Sequence, residues 1–433
     1  MKVAFQTLGC RVNVYDSEAM TELFLKDGYE IVDFSEYSDV YVVNTCTVTN
    51  NSDKKSRQYI NRAKRLNPNA TVAVVGCYPQ VNKEKINEMD GIDVILGSRN
   101  KGDIVYAVNK SMAEKKKVVK VSESIILNNK FEDLNITDYE DKTRAFLKIQ
   151  DGCNRFCSYC IIPYARGGIS SKDPKKIINE VKLLSENGFK EVIFSGIHIA
   201  SYGQEFKNRY DLLDLLEEIN KIEGIERIRI GSIEPMFFHG KRMDRIKNIN
   251  KLCPHFHLSL QSGSNKTLKR MNRRYTKEEY QEVVDKLREE IKDVSITTDV
   301  IVGFPGESEE EFNESLEFLK NIKLNKIHTF KYSIRKNTPA ANMKKQVNGN
   351  IKDERSKLVI DLSEKYEKQY LEDLVGSTVE VLMEKDHEGV FAGYTGNYNR
   401  VEVKSNKDLR GQIKKVFITG VDENSLVAKG NVL

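Results

Sequence analysis

The sequence predicts an α/β protein in three parts. These are an N-terminal doubly wound parallel sheet, a central partial (β/α)6 TIM-like barrel, and a small C-terminal OB-like β-barrel. Three observations predict it. Short β-branched runs alternate with amphipathic stretches up to Val94–Leu96. A second, longer alternation runs from Arg144 to Tyr332. From Gly376 onward, short strand patterns are separated by Gly, Asn and Asp turns.

Bulk properties agree. A chain of 433 residues, 39% hydrophobic and 31% charged, suits about three ordinary globular domains. No run approaches the roughly 18 apolar residues of a membrane span. The opening Val3-Ala4-Phe5, soon followed by Asp16 and Glu18, is unlike a secretion signal and makes the cytoplasm the expected location. The net charge of +5 is a weak sign of a polyanionic partner.

In the expected first domain, 1–112, buried-type runs at 3–8, 40–44, 71–75 and 94–96 read as strands. Residues 15–26, 52–66 and 83–89 read as the helices between them. Residues 113–141 carry Lys115-Lys116-Lys117 and then polar Asn- and Asp-rich sequence, which reads as a linker with one strand at 118–121. In 142–372 the strands are expected at 145–149, 191–194, 228–230, 257–260, 296–302 and 327–330. Helices are expected at 176–186, 212–222, 277–291 and 309–322, with 353–372 as a long polar brace. Residues 373–433 hold five short strands, 378–382, 390–394, 400–403, 411–419 and 426–428.

The chemistry lies in the cysteines. Seven in a chain of this type argue against a disulfide framework. Cys153, Cys157 and Cys160 place three thiols within eight residues, in a loop directly after an expected barrel strand. Barrel active sites sit at that end of the strands. Thiolates suit iron–sulfur clusters and zinc alike, so a zinc knuckle remains open at this point. Cys10, Cys46 and Cys77 each directly follow an expected parallel strand. The carboxyl ends of such strands share one edge, so the three thiols are expected to converge on a second cluster. Three separate buried cysteines are the alternative. Cys253, before Pro254, reads as a structural free thiol.

The Cys-x3-Cys-x2-Cys loop, with Tyr159 before its last cysteine, resembles the radical S-adenosylmethionine (AdoMet) superfamily. Thr7-Leu-Gly-Cys-Arg-Val-Asn13, Asn44-Thr-Cys-Thr-Val-Thr49 and Val75-Gly-Cys-Tyr78 resemble the methylthiotransferases within it, most closely the MtaB type. Ile162-Pro163-Tyr164-Ala165-Arg166-Gly167 and Ser195-Gly196-Ile197-His198 point the same way. The resemblance implies two [4Fe–4S] clusters, one on Cys10, Cys46 and Cys77 and a catalytic one on Cys153, Cys157 and Cys160. It also implies AdoMet as cofactor and a C-terminal RNA-binding TRAM domain. The implied reaction adds a methylthio group to C2 of N6-threonylcarbamoyladenosine beside the tRNA anticodon. A sulfur donor and an electron donor such as flavodoxin or ferredoxin are implied partners. The rival substrates within the family are isopentenyladenosine in tRNA and a ribosomal-protein aspartate. Rivals of other classes are an iron–sulfur electron carrier, an RNA-binding regulator and a zinc-dependent RNA-modifying enzyme.

One departure stands out. Relatives carry Arg-Ser-Arg after the glycine at 167, where this chain has Ser170-Ser171-Lys172, so a phosphate or AdoMet contact there is expected to differ. Resemblance and strand-end placement nominate Tyr159, Ser195, Gly196, Glu234, Gln261 and Gly303 for AdoMet. His198 reads as a satisfied loop histidine. Basic and aromatic residues nominate Lys54, Lys55, Arg57, Arg273, Arg274, Phe391, Tyr394, Tyr398 and Arg400 for RNA.

Overall fold

The computed structural model describes residues 1–433 except 128, 129, 135, 137–142 and 423, and except the side chains at 385 and 386. Eight of the 29 residues expected as a linker, 113–141, lie outside the described residues.

The N-terminal part is β1 (Lys2–Thr7), α1 (Arg11–Lys26), β2 (Glu30–Val32), β3 (Val40–Thr45), α2 (Asn50–Leu66), β4 (Thr71–Gly76), α3 (Cys77–Val81), α4 (Lys83–Asn87), β5 (Val94–Leu96), α5 (Ile104–Glu114) and β6 (Val118–Lys120). The strands form one parallel sheet in the order β2-β1-β3-β4-β5-β6. Val40 to Val43 and Val72 to Val75 are fully buried, because helices cover both faces. One apolar cluster gathers α1 and α5 and the other gathers α2 and α4. The strand order reverses between β1 and β3, and such a switch point opens a crevice at the carboxyl ends of the strands. Strand β6 completes this sheet, so the segment after 112 begins as part of the first layer.

The central part follows as β7 (Arg144–Lys148), β8 (Gln150–Asp151), α6 (Ile162–Arg166), β9 (Ser170–Ser171), α7 (Pro174–Glu186), β10 (Glu191–Ser195), α8 (Leu212–Ile219), β11 (Arg227–Ile230), α9 (Arg242–Ile246), β12 (His255–His257), α10 (Asn265–Arg270), α11 (Lys277–Glu290), β13 (Ser295–Val302), α12 (Glu309–Ile322), β14 (Lys326–Lys331) and α13 (Gly349–Glu372). Parallel ladders join β7-β10-β11 and β12-β13-β14, and single bridges at Ile228–Leu252 and Ile233–Leu258 close the seam. Six strands therefore form an open arc with helices outside. Strand β12 starts and ends earlier than the alternation at 257–260 implies. The Thr298 hydroxyl donates to the Leu258 carbonyl and accepts from the Leu260 N–H, so a side chain takes over where the ladder stops. Gln261 then turns left-handed at φ +70°.

The last part is β15 (Thr378–His387), β16 (Val390–Thr395), β17 (Arg400–Lys404), β18 (Ile413–Asp422) and β19 (Val427–Val432), closed in the order β15-β16-β17-β19-β18. Val381, Met383, Phe391, Val401, Val416 and Ile418 fill it. It docks on the barrel through cations under aromatic rings. Arg144 lies 4.5 Å from the Tyr394 ring and Arg229 4.4 Å from the Tyr398 ring, and the two rings stack at 4.9 Å. Among the described residues no helix is long and apolar enough to cross a membrane.

Candidate active site

Cys10 is the N-cap of α1, Cys46 follows β3 directly, and Cys77 opens α3 directly after β4. All three therefore leave the same sheet edge, at and beside the switch point. The residue before Cys10 must be glycine. Gly9 has φ +109°, and a Cβ there would lie 2.7 Å from the Cys46 Cβ. Burial, opposed by Arg166 and aided by Cys46 and Cys10, pushes the Cys77 thiol up to about 11. Burial also raises Cys46, and Cys10 adds to it.

The second triad is built by a loop wound onto the barrel mouth. The Cys160 N–H donates to the Cys157 carbonyl at 2.9 Å and the Cys153 N–H to the Gly167 carbonyl at 3.0 Å. The Ser158 hydroxyl and N–H bind the carbonyls of Arg270 and Met271 at 2.7 and 3.0 Å. Burial, with the neighbouring Cys157 adding to it, raises Cys153 to about 11 and Cys160 to about 12.

Both sets fit an iron–sulfur cluster. Each is three soft sulfurs with no oxygen donor among them, and each set's thiols feel one another's charge. Among the described residues no three Cys, His, Asp or Glu side chains stand at the spacing of a single-ion site. Cys253 is the seventh cysteine, 3% exposed and apart from both triads, and burial raises its thiol to about 11.

Beside the second triad lies an ionic cluster. Glu234 is 2.8 Å from Arg155, 3.1 Å from His198 Nε2 and 3.6 Å from Arg273. Burial would raise its carboxyl, but the His198 hydrogen bond and the charges around it bring it down to about 2. It stays ionised and can accept from a cationic amine. His198 is satisfied as expected, with Nδ1 on the Ser201 hydroxyl at 2.7 Å. Arg273 is a correction. Its side chain is only 7% exposed, and Nη1 donates to Cys157 Sγ at 3.3 Å while Nε donates to the Tyr275 hydroxyl at 2.9 Å. It serves the cysteine loop and is not available to RNA phosphates.

The other nominated residues divide. Ser195 and Gly196 stand at the end of β10, with Gln150 against Gly196. Tyr159 packs edge-on to Phe304 beneath the loop. Gln261 lies beyond the end of β12, where its N–H donates to the Asp299 carbonyl and its carbonyl accepts from the Ile301 N–H of β13. Gly303 turns left-handed at φ +69°, and a Cβ there would lie 2.3 Å from Lys352 Cγ on α13. Lys54, Lys55 and Arg274 are exposed, and Arg57 donates to the Tyr78 hydroxyl at 3.0 Å. Phe391 is 3% exposed in the small barrel's core and cannot stack on a base. Tyr394 and Tyr398 are engaged in docking, as described above. Tyr394 and the exposed Arg400 line an open cavity of about 1640 Å³, between α1, β7 and the small barrel, which none of the six cysteines lines. Ser170, Ser171 and Lys172 are used internally, on Arg99, Glu205 and Glu180.

The sequence reading missed a buried ionic network between the two triads. Asp16 Oδ1 lies 2.7 Å from Lys148 and Oδ2 2.9 Å from Lys101. Arg166 lies 3.0 Å from Asp151 and 3.4 Å from Asp16, and all of these side chains are at most 1% exposed. Arg166 also donates to the Asn13 side chain, whose amide holds the carbonyls of Leu8 and Thr45. A signal existed: Lys148 interrupts an otherwise apolar strand end, and Asp16 and Arg166 each follow a cysteine by six residues.

The strand arc and its three-cysteine mouth define a radical AdoMet enzyme. Residues 147–319 match the radical SAM superfamily, whose members use AdoMet and a [4Fe–4S] cluster, and residues 2–97 match the family described as uncharacterized protein family UPF0004. The threonylcarbamoyladenosine tRNA methylthiotransferases MtaB of Bacillus subtilis and Aquifex aeolicus are both 42% identical over 96% of this chain, and are covered over 93% and 100% of their lengths. A tRNA-2-methylthio-N(6)-dimethylallyladenosine synthase of Natranaerobius thermophilus is 36% identical over 95% of this chain and 93% of its own. The chain belongs to the radical SAM methylthiotransferase family. In fold it is similar to the radical AdoMet methyltransferase TsrM of Kitasatospora setae, with TM-score 0.59 and 14% identity over 78% of this chain and 76% of that one.

Proposed function

We propose that this enzyme transfers a methylthio group to C2 of N6-threonylcarbamoyladenosine at position 37 of tRNA, next to the anticodon. The observation that carries the reading is the buried network of Asp16, Lys101, Lys148, Asp151 and Arg166, which joins the helix that follows Cys10 to the segments that flank Cys153, Cys157 and Cys160. The two 42% relatives that bear the threonylcarbamoyladenosine name favour that nucleoside over the dimethylallyl one.

When bound, a [4Fe–4S] cluster on each triad would supply respectively the sulfur to be methylated and the single electron that cleaves AdoMet to a 5′-deoxyadenosyl radical. The chain's own residues do the rest. Glu234 is ionised and placed to take the AdoMet amine, and Arg155 and His198 orient it. Ser195, Gly196 and Gln261, each at or beyond a barrel strand's carboxyl end, contribute further AdoMet contacts. Arg273 donates a charged hydrogen bond to Cys157. Lys54, Lys55, Arg57, Arg274 and Arg400 contribute phosphate contacts. The functional units are 1–120 for sulfur, with β6 included in its sheet, the segment from there to 141 as the connection, 142–372 for the radical and 373–433 as a TRAM-type RNA platform. A flavodoxin- or ferredoxin-type protein in the cytoplasm supplies electrons, and a separate donor supplies sulfur.

Hydrogen bonds to cluster sulfurs raise a cluster's potential. Replacing Arg273 by Met is expected to lower the midpoint potential of the Cys153/Cys157/Cys160 centre by about 60 mV or more. That is the one-electron equivalent of a charged hydrogen bond worth roughly 1.5 kcal/mol. An EPR-monitored redox titration reads it, and an unchanged potential would reduce Arg273 to packing.

The test of function is a reconstituted assay offering three substrates separately. These are anticodon stem-loop RNA bearing threonylcarbamoyladenosine, the same RNA bearing isopentenyladenosine, and a ribosomal-protein peptide. Turnover of the first alone is expected. Turnover of the second alone would move the substrate to the dimethylallyl branch, and turnover of the peptide alone would remove RNA from the account.

A further inference from the structure

The buried network is one tie between the two triads. A second, separate tie runs through the loop after β14. Arg335 is 5% exposed, and its guanidinium leaves its own domain entirely. It donates to Asp53 Oδ2 at 2.7 Å, Thr47 Oγ1 at 2.8 Å and Asn50 Oδ1 at 2.8 Å. Thr47 is the residue after Cys46. Thr47 in turn donates to the other oxygen of Asp53 at 2.8 Å, and Thr49 caps α2 by accepting from the Ser52 N–H at 3.2 Å. The segment from Cys46 to Asp53 is thus a cup already shaped around one guanidinium.

The other end of the same loop reaches the other triad. The Ala340 N–H donates to the Ser158 carbonyl at 2.8 Å, and Ser158 is the residue after Cys157. Between the two ends the loop is stiff. Thr338 is 1% exposed and turns back on the Arg335 carbonyl through both its hydroxyl and its N–H, at 2.7 and 3.2 Å, and Pro339 fixes the next φ. Ala340 is fully buried. Six residues, 335–340, therefore span from the neighbour of one cluster-type cysteine to the neighbour of another.

We propose that residues 335–340 are a strut that fixes the gap between the two cysteine triads, with Arg335 as the positioning residue that seats Cys46 opposite the radical site. This rests on the two-cluster reading above and deepens it. Radical formation needs only the second triad and AdoMet. Methylthio transfer also needs the first triad within reach of the carbon radical, and displacement of about 1 Å is enough to cost such a step roughly 10²-fold. An enzyme with a loosened strut still cleaves AdoMet: one electron from the reductant breaks the sulfonium S–C5′ bond, giving methionine and the radical. The radical takes a hydrogen atom from the substrate carbon and becomes 5′-deoxyadenosine; with no methylthio group in reach, the carbon radical is quenched by a second electron from the reductant and a proton from water, which returns unmodified substrate.

The test compares the wild-type holoenzyme with Arg335→Gln and Asp53→Asn. Each is measured for iron content, 5′-deoxyadenosine and methylthiolated RNA, and the EPR spectrum is examined for spin–spin interaction between the two reduced clusters. Both variants are expected to keep their iron and their 5′-deoxyadenosine within about twofold. Product per 5′-deoxyadenosine should fall at least about tenfold, with the spin–spin interaction altered. Arg335→Lys keeps the charge without the fork and should fall in between. An unchanged ratio, or a parallel fall of both products, overturns the strut. If Arg335→Gln loses iron through misfolding, the isosteric Asp53→Asn decides by the same criterion. A wild-type enzyme with only one cluster, or with no 5′-deoxyadenosine, overturns the function itself and the strut with it.

Discussion

Replacing Cys157 and Cys160 together by Ala abolishes 5′-deoxyadenosine formation and leaves about half of the iron bound. The expectation follows from how separately the two triads are built. Cys153, Cys157 and Cys160 lie on one loop held by Arg270, Met271 and Gly167, all in the central part. Cys10, Cys46 and Cys77 hang from three strand ends of a different sheet. Removing two of three thiolates leaves one ligand, too few for a cluster, while no contact of the N-terminal triad is lost. The effect on rate is complete loss, since no acid or base in this site can replace a radical at an unactivated aromatic C–H. Iron and sulfide analysis with a 5′-deoxyadenosine assay reads both halves. Loss of all iron would mean one shared centre, and surviving AdoMet cleavage would place the radical chemistry elsewhere.

Replacing Asp16 by Ala is expected to destabilise the junction of the first two domains by about 3–5 kcal/mol, the usual cost of removing one member of a buried ionic set. Asp16 is fully buried between Lys101 and Lys148, with Arg166 behind. Without it, the carboxylates facing the three cations among the described residues are Asp151 and the buried Glu132. Hydrogen exchange along α1 and β7 would read the loosening. Asp16→Asn should cost somewhat less, because it keeps the volume and one acceptor oxygen, although it loses the charge and turns an NH2 donor toward one of the cations. Burial pushes the Asp16 carboxyl up, but Lys101, Lys148 and Arg166 outweigh this and hold it far below the ordinary range. Its stabilisation is therefore fully present above the ordinary aspartate value of about 3.9 and is lost only as the pH falls through its lower folded value. An Asp16→Ala variant as stable as the wild type would show that apolar packing alone holds the junction.

The layers of this protein were legible because periodicity reports burial. A run such as Val40 to Val43 has no other reading than a strand covered on both faces. The six cysteines were singled out because strand-end placement is a property of sequence order. What was not legible is pairing between distant side chains. Lys148 and Asp16 are 132 positions apart, and nothing local says that they meet. Arg273 looked like one of several surface cations, since MNRRY reads as a basic turn. Its turn is folded inward by Tyr275, whose hydroxyl reaches the carbonyls of Ser259 and Leu260. Aromatics of a small barrel pose the same problem. Alternation places Phe391 either inside or outside, and only the register with Val403 puts it in the core. Tyr394 and Tyr398 were read as exposed because a sequence does not show that the central barrel offers Arg144 and Arg229 to them.

The most direct test of the central claim is the nucleoside content of tRNA from cells with and without this gene, read by mass spectrometry. The account predicts that 2-methylthio-N6-threonylcarbamoyladenosine disappears and N6-threonylcarbamoyladenosine accumulates in its place. Unchanged levels of both nucleosides would contradict it.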